Sequence, residues 1–152
     1  MIKQAAAVAA ALFGAGIAVA QGPCTGPPSA TRLYVTIENV RASQGLIALT
    51  LYADDSRRFL ARRGSLYVGR VPARAPVTRA CIHVPSPGTY ALAIYHDADA
   101  NRRFNRTALG LPAEGYGFTN NPGTLFGLPS FRSVRLAVPR TDTATTIRMR
   151  YP

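Results

Sequence analysis

The chain has 152 residues, 18 basic against 7 acidic side chains, and a formal net charge of +11. It is 47% hydrophobic, enough for one core, and its length without internal repeats or low-complexity linkers fits a single domain. That charge attracts anionic partners, but the arginines are spread out, doubled only at Arg57-Arg58, Arg62-Arg63 and Arg102-Arg103, with no basic run interleaved with aromatics, which argues against nucleic-acid binding.

The first residues, MIKQAAAVAAALFGAGIAVAQ, have the parts of a secretory signal peptide: Lys3, an apolar stretch from Ala5 to Val19, and small residues at Ala18 and Ala20. The stretch is short and Ala-rich for a bilayer span, which needs about 20 apolar residues. Cleavage after Ala20 is therefore expected, with export to the periplasm or the extracellular space. Residues 21–30 then form a short leader and residues 31–152 the domain. No later segment is apolar enough to cross a bilayer, so an integral membrane protein is not expected after cleavage. In an oxidising compartment the only two cysteines, Cys24 and Cys81, are expected to pair. Closing a loop of that length stabilises by roughly 3–4 kcal/mol in the chain-entropy account.

Downstream, short alternating runs follow one another between turn residues. TRLYVTIENV puts Leu33, Val35 and Ile37 on one face. Arg41–Gly45 reads as a hairpin-like connection to GLIALTLYA, where Ile47, Leu49 and Leu51 oppose Leu46 and Ala48. Ser56–Gly64 could be a short helix with Phe59 and Leu60 inward. SLYVGRVPA and VTRACIHV are two more strands, and Pro85-Ser86-Pro87-Gly88 is a strong turn. TYALAIYH, FRSVRLAVP and ATTIRMRY complete the set. The expected fold is all-β: an antiparallel two-sheet sandwich of about seven strands, immunoglobulin- or transthyretin-like, with a small closed barrel as the alternative.

Three blocks carry a resemblance: PSPGTYALAIYHDADANRRFN, LGLPAEGYGFTNN and GLPSFRSVRLAV, following LYVTIENVRASQGLIALTLY. In this order they resemble a bacterial family of exported proteins catalogued as domain of unknown function 2141. The resemblance covers nearly all of the chain after the signal peptide. It implies an exported β-sandwich domain and no particular reaction or ligand. The family's usual loop reads like His-Asp-x-Asn-x-Asn-Gly-Lys-x-Asp. Here Arg102 stands at the glycine and Asn105 at the last acid.

Within that loop Asp97, Asp99 and Asn101 place oxygen ligands at alternate positions, as a calcium loop does. The Arg103 carbonyl and Asn105 fall at the next ligand positions. Ala108 stands where a closing Glu belongs, Arg102 replaces the turn glycine, and Glu114 could contribute only if the loop folds back. The same residues also suit Asx-turns or ion pairs with Arg102, Arg103 or Arg106, and the departures favour turns over calcium. His96 with His83 could take a transition metal, but no second ligand stands at recognisable spacing. In EGYGF an extended backbone puts Glu114, Tyr116 and Phe118 on one face and bares Gly115 and Gly117 on the other. That face, beside His96, could grip a sugar or a peptide, or simply pack on the sandwich.

No hydrolase or metalloprotease motif occurs, and no cofactor beyond calcium is implied. The leading expectation is an exported, non-enzymatic module of the cell envelope or extracellular space that binds a glycan, peptide or other envelope ligand, with anionic partners favoured by charge. The alternatives are a metal-dependent enzyme using His96, Asp97, Asp99 and Glu114, and a structural module stabilised by calcium.

Overall fold

The computed structural model describes residues 22–124 and 128–152. The expected signal peptide lies outside the described residues. Eight strands run in the order β1 (Thr31–Glu38), β2 (Leu46–Ala53), β3 (Tyr67–Pro72), β4 (Val77–Val84), β5 (Gly88–Asp97), β6 (Tyr116–Phe118), β7 (Leu136–Val138) and β8 (Thr143–Arg148). One helical turn, α1 (Phe131–Val134), precedes β7. The extra strand over the expectation is β6, inside the EGYGF segment.

The strands form two sheets. The smaller has the order β4-β1-β8, and the larger β3-β2-β5-β6, with β7 pairing the start of β5. All pairings are antiparallel except β1 with β8. The described strands make a sandwich and no closed barrel. Its sheets are linked at one corner, where Tyr116 and Arg150 exchange backbone hydrogen bonds of 2.8 Å. Arg41–Gly45 is not a hairpin: β1 and β2 lie in different sheets, so this connection crosses the sandwich edge.

The alternation read from the sequence places the core. Leu33, Val35 and Ile37 face Ile47, Leu49, Leu51, Leu92 and Ile94 across the sandwich, closed by Ile82, Ile147 and Met149. Each such aliphatic side chain stabilises the fold by about 1.5–3 kcal/mol through apolar burial. The glycines of β6 and its approach turn inward. A Cβ at Gly115 would lie 2.4 Å from the Tyr151 ring, and one at Gly117 2.7 Å from the Ile147 side chain. The close approach that bare glycines permit is thus made by Ile147 of β8 and by Tyr151 beyond it.

The leader is part of the fold. The Cys24–Cys81 disulfide joins it to β4, with Cα atoms 4.4 Å apart. Thr25 N–H donates to the Cys81 carbonyl and His83 N–H to the Thr25 carbonyl, both at 2.9 Å. The Ser29 hydroxyl donates to the Val84 carbonyl at 2.6 Å. These bonds occupy the open edge of β4, which would otherwise present unpaired backbone groups to another chain. On the facing edge, the Tyr67 hydroxyl of β3 donates to the His83 carbonyl, and burial pushes this phenol up to about 12.

Two expectations about local structure change. Ser56–Gly64 is a run of turns and not a helix, because Leu60 and Arg63 take positive φ of 57° and 59°, which breaks the helical path. Phe59 is turned to an apolar cluster, whereas Leu60 is 39% exposed. Phe131 belongs to α1 and not to a strand. In the loop after β5, Ala100 and Arg102 also take left-handed φ, 55° and 64°. Arg102 thus adopts, with a side chain, a backbone that glycine takes at no steric cost.

Replacing both cysteines by serine should lower stability by about 4 kcal/mol, seen as a lower melting temperature under non-reducing conditions, with reductant leaving the variant unchanged. Arg102→Gly should raise stability by about 1 kcal/mol through relief of the left-handed φ, read as a higher denaturation midpoint with an unchanged slope.

Candidate functional site

Strands β2 and β5 send every second residue away from the core. On this outer face β2 carries Ala48, Thr50 and Tyr52, and β5 carries Ala91, Ala93 and Tyr95. The register sets Thr50 beside Ala93, Ala93 beside Phe118 and Tyr95 beside Tyr116. Small residues therefore lie along the middle, with aromatic rings on either side. A trough follows directly from these sizes.

Loops raise its walls. Leu60 comes from the β2–β3 connection, while its neighbour Phe59 packs on Tyr52, Phe118 and Phe131, with ring centroids 5.3, 6.2 and 5.6 Å away. Phe104, from the long loop between β5 and β6, packs against Tyr95 at 5.4 Å and Tyr116 at 6.5 Å. Arg106, Leu111 and Pro112 of the same loop complete that side, and the groove has a volume of about 390 Å³. Burial raises the Tyr52 phenol above its ordinary value. It also raises that of Tyr95, where Arg70 beside the hydroxyl opposes the rise. Both hydroxyls therefore stay protonated at neutral pH.

Tyr116 and Phe118 line this groove, and they pack as well as line, since Phe118 is only 7% exposed. Glu114 does not join them. The loop returns on itself, and Glu114 accepts from the Asn105 backbone N–H at 2.9 Å and its side-chain amide at 3.2 Å. Tyr95 and Phe104 carry no site role in the sequence reading. The alternation Ala91, Ala93, Tyr95 is the available signal for the first, and nothing local marks the loop phenylalanine.

At the head of the same loop Asp97, Asp99 and Glu114 bring carboxylate oxygens within 4.8 Å of one another. Asp97 is fully buried, and its two oxygens accept from the backbone N–H groups of Asn101 (3.0 Å) and Arg102 (2.8 Å). Asp99 accepts from the Asn101 backbone and side chain, and the Asn105 amide reaches both Asp99 and Glu114. The Asn101 side-chain oxygen accepts from Arg103 N–H. These are Asx-type turns, and they bring the carboxylates of Asp97 and Asp99 beside Glu114, while the side-chain oxygens of Asn101 and Asn105 accept from Arg103 N–H and the Asn101 amide. The Arg103 backbone is engaged through this bond to Asn101.

Charge is distributed in an unusual way around this loop. The other four acids, Glu38, Asp54, Asp55 and Asp142, each lie within 4.0 Å of an arginine. None of the ion pairs among the described residues involves Asp97, Asp99 or Glu114, although Arg102, Arg103 and Arg106 are close in sequence. Burial, foremost, raises the Glu114 carboxyl above its ordinary value; hydrogen bonds from Asn105 oppose this, and the negative charges of Asp97 and Asp99 add to it.

His96 stands elsewhere. It shares the inward parity of Leu92 and Ile94 and is 3% exposed. Nε2 lies 2.7 Å from the Gln44 carbonyl, to which it donates, so Nδ1 accepts from the Tyr151 hydroxyl at 2.8 Å. That hydroxyl in turn accepts from Arg41 N–H at 3.1 Å, and the Arg41 guanidinium covers the ring at 4.3 Å. Both ring nitrogens are committed to holding the last residues against the β1–β2 crossing. His83, on β4, bonds the Ser29 backbone through Nδ1. The two histidines and the carboxylates do not converge.

No curated protein and no solved structure matches this chain. The profile of one bacterial family, described as an uncharacterized protein conserved in bacteria, matches residues 35–147, a span that contains both the groove and the carboxylate loop. The resemblance read from the HD and EGYGF blocks therefore holds, and the chain belongs to the DUF2141 family of uncharacterised bacterial proteins.

Proposed function

We propose that this protein is an exported, non-enzymatic binding module of the periplasm or extracellular space, and that its ligand lies in the groove on the outer face of the larger sheet. The observation that carries this reading is the trough itself: small residues at Thr50 and Ala93, flanked by Tyr52, Tyr95, Tyr116 and Phe118 on rigid strands. A sheet face covered by its own loops packs its centre with large side chains; this one leaves the centre low. Concave, mostly aromatic surfaces with a few polar groups are the usual form of small-molecule sites. The disulfide-stapled leader and the amino-terminal signal pattern support export.

A second reading concerns the carboxylate loop, which we assign to a calcium ion as a structural partner of the groove. Its support is the charge pattern: in a chain of 17 arginines, three of the seven acids sit together without one. Hard oxygen ligands from carboxylates, amides and carbonyls are what calcium takes, and extracellular modules bind it with dissociation constants of about 10⁻⁴–10⁻³ M. Held by an ion, the loop would fix Phe104 and Arg106 at the groove wall. Catalysis by His96 with these carboxylates has no such support, because His96 is on the opposite face of β5.

For the groove, Ala93→Phe should fill the trough and abolish ligand-induced chemical-shift changes at Thr50, Tyr95 and Tyr116 in a panel of glycans, peptides and alkyl ligands. Shifts clustered on any other surface would move the site. For the ion, millimolar calcium should raise the melting temperature by about 3–5 °C, and Asp99→Asn should remove the rise without unfolding the domain. The pH dependence has a definite sign. Glu114 titrates above its ordinary value of 4.5 in the folded state, so its protonated form stabilises the fold at low pH and this contribution is lost as pH rises through the raised value. In a chelator, melting temperature should fall across that window, Glu114→Gln should flatten the fall, and calcium should reverse it.

A further inference from the structure

We propose that the groove takes the hydrocarbon chain of a long-chain carboxylate, with the anionic head on the Arg106 guanidinium. This rests on the reading of the groove as a ligand site and names the chemistry that fits it. The lining decides against a sugar. A glycan asks for polar partners around each hydroxyl, and here the polar groups are Thr50, the tyrosine hydroxyls and Arg106. Three leucines line the same groove while standing in water: Leu60, Leu111 and Leu128 are 39%, 54% and 59% exposed. Apolar side chains left wet around the mouth of an aromatic trough gain from covering by another apolar chain.

Charge then picks the head group. Arg106 is the one charged side chain among the described lining residues. It is held at the wall, donating from Nη1 to the Gly110 carbonyl at 3.0 Å and lying 5.1 Å from the centre of the Phe104 ring. Among the described residues it makes no ion pair, whereas the four acids outside the loop cluster are all taken by other arginines. A guanidinium fixed by one nitrogen still offers a fork that a single carboxylate matches with two hydrogen bonds. The volume of about 390 Å³ falls within the range of about 300–1,000 Å³ that small-molecule sites span. One cation beside an open hydrocarbon trough describes the complement of an anion-headed alkyl chain.

The test is titration of the full disulfide-bonded protein with laurate below its micelle concentration, and with dodecanol and a chitin trisaccharide in parallel, followed by calorimetry and by the Thr50, Ala93 and Tyr116 resonances. Laurate should bind one to one and shift those resonances. Arg106→Gln should weaken laurate by at least about tenfold, the worth of a charge-assisted pair, while leaving dodecanol and the melting temperature unchanged. Ala93→Phe should abolish both alkyl ligands, with Thr50→Phe serving the same purpose if the first variant does not fold. Equal laurate affinity in Arg106→Gln, or no laurate binding, overturns the inference. If laurate fails while the trisaccharide shifts the groove resonances, the ligand class is wrong and the groove remains a binding site. If no ligand perturbs the groove, both readings fall together.

Discussion

A β-strand turns successive side chains to opposite faces, and along β5 this alternation divides the molecule's tasks. Tyr90, Leu92, Ile94 and His96 go inward, to the core and to the clasp on Tyr151. Ala91, Ala93, Tyr95 and Asp97 go outward, to the trough and the carboxylate loop. Because β5 pairs with β2, β6 and β7, its register also aligns the outer residues of β2 and β6. A slip of one position would place Asp97 in the core and Ile94 in the trough. The inner face, dense with aliphatic side chains, forbids that slip, so the core is what keeps the outer face in place.

The same strand separates two neighbours in sequence that invite a joint role. His96 and Asp97 are adjacent, yet the imidazole bonds a carbonyl and a phenol inside the sandwich while the carboxylate bonds loop amides outside it. Each is satisfied where it stands. Electrostatics sharpens the division. Ion pairs such as Asp54 with Arg135 and Asp142 with Arg32 lie at the surface and contribute little to stability. They do, however, use up the acids that would otherwise neutralise other arginines, and that leaves Arg106 uncompensated beside the groove.

Much of the fold was legible in the sequence, since alternation in TRLYVTIE, LIALTLYA and GTYALAIYHD is strong enough to identify strands and their inner faces. Strand partners were less legible. Arg41–Gly45 has hairpin length, but whether a short connection pairs its strands or passes from one sheet to the other depends on what lies beneath it, here the His96–Tyr151 contact. The turns at Leu60 and Arg63 hid behind helix-compatible residues. For the site, Tyr116 and Phe118 could be singled out by their spacing around glycines. Their face could not, because Glu114 follows the loop back to Asn105 instead of continuing the strand. Leu60 and Phe104 reach the groove from loops tens of residues apart, and no local pattern encodes such a meeting.

The parallel pairing of β1 with β8 has a consequence for the order of assembly. Arg32 meets Asp142, Asn39 meets the Met149 carbonyl and Arg41 meets Tyr151, each across 110 positions of chain. Until the final strand exists, β1 has one neighbour, Ile147 and Met149 are missing from the core, and the clasp on His96 has no phenol. Contacts so far apart in sequence carry a large loop-closure cost before they return any stability, which slows folding. A chain with this topology closes its smaller sheet only when β8 docks beside β1.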